Sequence, residues 1–179
     1  MMKSKVLLSK LLLLLIICCN IGCDQVSKSI IRRELTSQDQ LKFFNDTLTV
    51  LKVENFGAFL SFGDELPQEI KFILLSLFPF LILGYAVYHL LAKSNDGKLY
   101  ATGFCFLIGG GFGNLYDRFL YGSVTDFLHL DLGIFQTGVF NLADVSISTG
   151  IIMLFIAIYQ RRKSAEMLIS TTEQNVDML

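Results

Sequence analysis

Four stretches of this chain, at about residues 7–31, 69–91, 99–119 and 143–160, have uncharged middles and are long enough, at about 1.5 Å per residue, to cross a bilayer as helices. In lipid the backbone polar groups must be bonded within the segment itself, so an apolar run of this length has little choice but to be a helix. The fold expected is membrane α-helical, with four transmembrane helices forming one embedded domain over residues 1–163 and a polar tail from 164 to 179. Composition agrees: 53% of the residues are apolar, and 16 phenylalanines suit lipid-facing helices better than one small core. A formal charge of −1, with no lysine-rich arm, offers no field for nucleic acid.

The amino end carries Lys3, Lys5 and Lys10 ahead of LLLLLIICCNIGC, the layout of a secretory leader. Asn20-Ile21-Gly22-Cys23 also imitates, poorly, the lipobox at which bacterial lipoproteins are lipidated and cut. A lipoprotein anchored at Cys23 with a soluble body would account for this end, but not for the three later apolar runs. Helical periodicity continues past Cys23 to Ile31 without a proline, and Asp24 and Lys28 stand four apart with the acid first, the favourable order for a pair on one helix face. The first helix is therefore expected to remain uncleaved. Cys18, Cys19, Cys23 and Cys105 lie in apolar runs and behave as small hydrophobes, while His89 and His129 have no metal-ligand spacing around them.

Between the first two helices the composition turns polar. Leu48-Thr-Val-Leu-Lys-Val-Glu54 roughly alternates as a half-buried strand does, and Phe43-Phe44 before Asn45-Asp46 reads as a preceding strand and turn. A small sheet over about residues 36–62, lying at the membrane surface, is the expectation. Asn55-Phe-Gly57 then puts an amide and a flexible glycine beside aromatic bulk, in what is either a functional loop or a plain loop end.

The third apolar run ends in Gly109-Gly-Gly-Phe-Gly113-Asn114-Leu-Tyr-Asp117-Arg118. Gly109 and Gly113 form a small-xxx-small pair that admits a close neighbouring helix, and Asn114 and Arg118 share a face. A buried arginine calls for an acid or water nearby. The stretch from Gly122 to Asp144 then places Asp126 in a connection and Asp144 where the fourth helix starts. Each has a bland reading, Asp126 as a turn residue and Asp144 as a capping acid near a helix dipole. The other reading is that the fold brings them together, in which case their pKa values separate and one takes a proton while the other gives one.

Basic residues at the amino end, at Lys93 and Lys98, and at Arg161-Arg162-Lys163 put both termini on the cytoplasmic side, with Arg32, Arg33, Lys42 and Lys52 pulling against the rule. That topology gathers Asp24, Asn55, Asn114, Arg118, Asp126, Asn141 and Asp144 at one outward membrane level. A transporter with an intramembrane proton path would instead spread its charges through the membrane depth. No serine or cysteine nucleophile with a suitable base is evident, since Ser27 and Lys28 are adjacent and diverge on a helix.

The chain resembles one family closely, the bacterial lipoprotein signal peptidases or signal peptidase II, aspartic peptidases of the membrane. The resemblance runs to about Arg162 and rests on Asp24-Gln-Val-Ser-Lys28, Asn55-Phe-Gly-Ala58, Gly109 to Arg118, Gly122-Ser-Val-Thr-Asp126-Phe127 and Phe140-Asn141-Leu-Ala-Asp144, in that order and at those separations. It implies four transmembrane helices with an extracytoplasmic β-cradle, removal of signal peptides from diacylglyceryl-modified prolipoproteins, and cleavage just before the lipidated cysteine. By the same resemblance Asp126 and Asp144 match the catalytic pair. Asp24, Lys28, Asn55, Gly57, Asn114, Arg118 and Asn141 match residues that shape the site or hold substrate. No metal or organic cofactor is implied, and a monomer in the bacterial cytoplasmic (inner) membrane, with its active site near the outer face, is expected. Two departures stand out: Phe59-Leu60 where the family has a small residue and then an aromatic, and Gly111 where alanine or serine is commoner, a change expected to loosen helix packing.

Overall fold

The computed structural model describes residues 2–57, 66–92 and 97–176; Phe59, Leu60 and the far end of the expected 36–62 sheet region lie outside the described residues. The elements run α1 (Met2–Glu34), β1 (Gln40–Phe43), β2 (Leu48–Asn55), α2 (Gln68–Ala92), α3 (Lys98–Tyr121), β3 (Val124–Leu130) and α4 (Leu142–Val176). The four expected helices are present. Three of them contain segments long and apolar enough to cross a membrane: Leu7–Glu34, Gln68–Ala92 and Leu142–Met167. Helix α3 has the same reach with 24 residues, but its glycines and its Asp117-Arg118 end make it less apolar.

The lipid-facing surface is read directly from exposure. Leu8, Leu11, Leu12 and Leu15 on α1, Tyr85 and Tyr88 on α2, and Ile152 and Phe155 on α4 all stand more than half exposed in the isolated chain. The core is narrow, formed by Ile17 of α1, Ala86 and Leu90 of α2, and Cys105 and Ile108 of α3. Helix α1 passes through Cys23 without a break, and that thiol is exposed while Asp24 beside it is buried.

Helix α3 is the hub, and its glycines set how near its neighbours come. A Cβ on Gly109 would sit 2.6 Å from the Cβ of Asn20, and one on Gly113 would sit 2.6 Å from Oδ2 of Asp24. The small-xxx-small pair therefore receives Asn20 and Asp24, themselves four apart on α1. On the next face, a Cβ at Gly110 would strike the first turn of α4 at Ala143. Gly111 does not loosen the bundle as expected: Leu83 of α2 fills the notch, within 2.7 Å of where its Cβ would be.

Helix α2 holds a single π-helical turn, Ile73–Leu77, just before Pro79. Proline lacks an N–H and its ring presses on the carbonyl four residues back, so one wider turn lets the helix continue instead of kinking. Helix α3 ends at Gly122, whose φ of +72° suits glycine and whose N–H bonds to the Arg118 carbonyl at 3.1 Å. The polar tail begins as a continuation of α4, which runs to Val176: residues 151–176 contain neither glycine nor proline to stop it, and Ser164 Oγ donates to the Gln160 carbonyl at 3.0 Å.

The sheet also differs from expectation. Its order is β1-β2-β3, all antiparallel, so its third strand comes from between α3 and α4. Asp126 thus lies in a strand, not in a turn. The alternation that would have revealed β3 is missing because Val124 through Phe127 are buried on both faces. Between β2 and β3 the pairing goes from Val50↔Leu128 to Val53↔Asp126, a bulge in which Leu51 and Lys52 together oppose Phe127. After β3 the chain returns alongside it: the Phe140 carbonyl accepts from Phe127 and Leu128 at 2.9 and 2.8 Å, and its N–H donates to Leu128 at 2.8 Å. This return sets Asn141, the next residue, beside Asp126.

Candidate active site

Helix α4 needs partners for the free N–H groups of its first turn. Asn141 supplies one, its Oδ1 accepting from Asp144 N at 3.0 Å, while Asp144 Oδ2 accepts from Asn141 N at 3.1 Å. This is a reciprocal capping box, built here from Asn and Asp. A third N–H, from Ala143, donates to Oδ1 of buried Asp24 at 2.9 Å. The capping reading of Asp144 therefore holds, and it is the reason that this carboxylate is fixed in direction.

Asp126 is 4% exposed. Its Oδ1 accepts from Asn141 Nδ2 at 2.6 Å and its Oδ2 from Asn55 Nδ2 at 3.0 Å. Burial pushes its pKa up to about 6, Asp144 nearby adds to the rise, and the two amide donors hold it back. Asn141 thus touches both acids, one with its side chain and the other with its backbone. Both acids line one cleft of about 270 Å³ together with Asn55, Asn114, Arg118 and Pro79.

Asn114 is oriented by what surrounds it. Its Oδ1 accepts from Lys28 Nζ at 2.8 Å and from Asn141 Nδ2 at 3.1 Å, which leaves its Nδ2 to donate to Asp144 Oδ1 at 2.9 Å. Lys28 is fully buried and pairs with Asp24 at 2.8 Å and Asp117 at 3.2 Å besides the Asn114 bond, which accounts for its three protons. Arg118 donates to the Gly57 carbonyl at 3.1 Å, and Gly57 N donates to Asn55 Oδ1 at 3.0 Å. The acids expected near Arg118 are the two lining the cleft with it. One chain of hydrogen bonds therefore joins Asp24, Lys28, Asn114, Asn141, Asp126, Asn55, Gly57 and Arg118, with Asp144 held between Asn114 and Asn141.

Several participants were not foreseen. Asp117 is fully buried and takes Arg32 at 2.8 Å, Gln25 at 3.1 Å and the backbone N–H of Thr125 at 3.2 Å. Arg32 Nε also donates to Thr125 Oγ1 at 2.8 Å, and Thr125 and Ser123 both donate to Glu54. This second network ties α1 and α3 to the sheet. A signal existed: Asp24, Lys28 and Arg32 repeat every four residues on one face, and Asp117 adjoins Arg118.

A larger cavity of about 540 Å³ adjoins the cleft, sharing Val139, Phe140 and Asp144 with it. It runs down the flank of α4 past Val145, Ser148, Thr149 and Ile152, with Phe135 to Gly138 on its other side. The site can therefore take a polar group between two acids while an apolar group extends along a membrane-spanning helix.

Comparison with known proteins bears on the family and the fold. A family model described as signal peptidase (SPase) II matches residues 16–160. Lipoprotein signal peptidases of Maridesulfovibrio salexigens and Aquifex aeolicus are 33% and 30% identical, over 78% and 83% of this chain and 89% and 86% of their own. A bacterial membrane enzyme solved by the in meso method at 2.3 Å resolution superimposes with a TM-score of 0.75 at 26% identity, covering 85% of this chain and 90% of that one.

Proposed function

The chain belongs to the signal peptidase II family, and we propose that it removes the signal peptide from prolipoproteins that carry diacylglycerol on the lipobox cysteine, cutting just before that cysteine. The observation that carries this reading is the meeting of Asp126 and Asp144 in one cleft, linked through Asn141, at the mouth of a groove along α4. In the proposed reaction the pair holds one proton. The ionised carboxylate withdraws a proton from water as its oxygen attacks the scissile carbonyl, and the protonated carboxyl gives its proton to the carbonyl oxygen. Collapse of the tetrahedral intermediate breaks the C–N bond, and the proton taken from water passes to the leaving amine. The intermediate's O–H returns its proton to the pair.

Asn55, Gly57 and Arg118 offer polar groups for the substrate backbone, and Asp24, Lys28, Asn114 and Asn141 act by fixing the acids. The substrate's apolar chains lie in the groove along α4, which sets the depth of the scissile bond and supplies part of the rate through proximity. No metal or cofactor enters this chemistry. We place the enzyme as a monomer in the bacterial inner membrane; the loop charges support cytoplasmic termini and a site near the outer face.

The test is cleavage of a lipobox peptide with and without diacylglycerol, followed by mass spectrometry. The lipidated peptide is expected to be cut immediately before its cysteine and the bare peptide to be turned over poorly, because most of the binding area is gone. Equal turnover of the two overturns the substrate assignment.

The raised pKa of Asp126 gives a pH dependence. A carboxyl lifted above its unfolded value of 3.8 to about 6 contributes stability that is complete below the lower value and lost as pH rises through the higher one. Catalysis follows the same direction, since ionising both acids removes the proton donor. The kcat/KM of the free enzyme is expected to fall as pH climbs through about 6, where Asp126 loses its proton. A profile that stays flat across that value contradicts a shared proton.

A further inference from the structure

We infer that the end of the sheet remote from the aspartates is a membrane wedge: Phe44 in the β1–β2 turn and Leu132, Ile134 and Phe135 in the loop after β3 enter the lipid beside α4. The two loops meet there, Asp131 N donating to the Thr47 carbonyl at 2.9 Å. The protein leaves their large apolar side chains uncovered. Ile134 is fully exposed, Phe44 is 80% exposed, and Leu132 and Phe135 are each more than half exposed.

The presentation is built into the loop. Asp131 accepts from Gly133 N at 2.8 Å and from Gln136 Nε2 at 2.7 Å, and Leu132 N donates to the Phe135 carbonyl at 2.9 Å, closing a tight turn. On the other side Phe44 has a φ of +53°, a region that bulky side chains rarely adopt, and its carbonyl is held by Thr47 N at 3.2 Å. Two ordered turns that fix four large hydrophobes outward are costly in water and favourable in lipid.

The height of the wedge identifies its occupant. Phe135 and Gln136 line the same cavity as Ser148, Thr149 and Ile152, one to two turns beyond Asp144 within the membrane-spanning segment Leu142–Met167. The hairpin therefore does not rise off the bilayer. It lies against the flank of a transmembrane helix, continuous with Ile152, itself more than half exposed. Lys42 of β1 and Asp46, in the same turn as Phe44, pair at 3.3 Å and put charges beside that aromatic, as the level of lipid headgroups suits. Acyl chains of the leaflet on the sheet's side are the occupant, and through β3 this contact sets the depth at which Asp126 is held.

The chain has no tryptophan, so a single one can report on each loop. Phe44→Trp and Ile134→Trp, with Gln38→Trp as an exposed reference, are reconstituted in vesicles of plain phosphatidylcholine and of phosphatidylcholine brominated high on its acyl chains. At 44 and 134 the emission is expected to shift to the blue relative to 38 and to lose most of its intensity in brominated lipid. Emission at both sites as red and as unquenched as at 38 overturns the inference. So does a blue shift without bromine quenching, which means that protein covers these residues. The readout is independent of peptide cleavage, so it stands or falls apart from the proposed reaction.

Discussion

Replacing Asp126 or Asp144 with asparagine is expected to lower kcat/KM for a diacylated lipobox peptide by about 10² to 10⁴ while the protein still inserts and folds. The substitution keeps shape and removes the titrating group. At 126 it exchanges one acceptor oxygen for a donor facing either Asn55 or Asn141, which costs about 1 kcal/mol of hydrogen bonding, and it removes the unfavourable burial of a charge. At 144 either the Asn114 bond or the Asn141 backbone bond is lost, and the cap on α4 weakens by a similar amount. Melting in detergent should therefore shift by a few degrees at most, against a loss of turnover that is nearly complete. Full cleavage by both variants, checked by mass spectrometry, rejects the pair as the catalytic acids.

Lys28→Met is expected to act on folding, destabilising the chain by about 3–5 kcal/mol. Two acids, Asp24 and Asp117, and two bases, Lys28 and Arg32, balance one another in the buried network. Removing Lys28 leaves one negative charge unanswered where two carboxylates have no contact with solvent. It also frees the Asn114 amide to turn, so Asp144 loses a fixed donor. Chemical denaturation in detergent measures the first effect. A second substitution, Asp117→Asn, should recover part of the stability by restoring neutrality, without restoring activity. A Lys28→Met protein as resistant as the parent contradicts the ledger of buried charge.

The helices were legible because lipid imposes a simple rule, that long uncharged apolar runs have no other way to satisfy their backbones. The convergence of Asp24, Asn55, Asn114, Arg118, Asp126, Asn141 and Asp144 followed from topology alone, by asking which polar residues end at the same membrane level. What sequence did not yield is equally specific. Strand β3 has no alternation to detect because its first four residues are buried on both faces. Asp117 was visible beside Arg118, and the Asp24, Lys28 and Arg32 repeat on α1, but which of them it pairs with emerges only once α1 packs against α3. The link through Asn141 was also hidden: the sequence offers a capping acid at 144, and only the return of Phe140 along β3 carries the same cap to Asp126.

The bulge at Leu51 and Lys52 decides which residue of β2 stands next to Asp126. Side chains on a strand alternate, so carrying the Val50↔Leu128 pairing on regularly, with every residue kept and no bulge, would set Lys52 opposite Asp126 and turn Glu54, in place of Asn55, toward it. An amide donor would be exchanged for a third acid. Parity, not composition, therefore keeps this corner of the protein chemically usable.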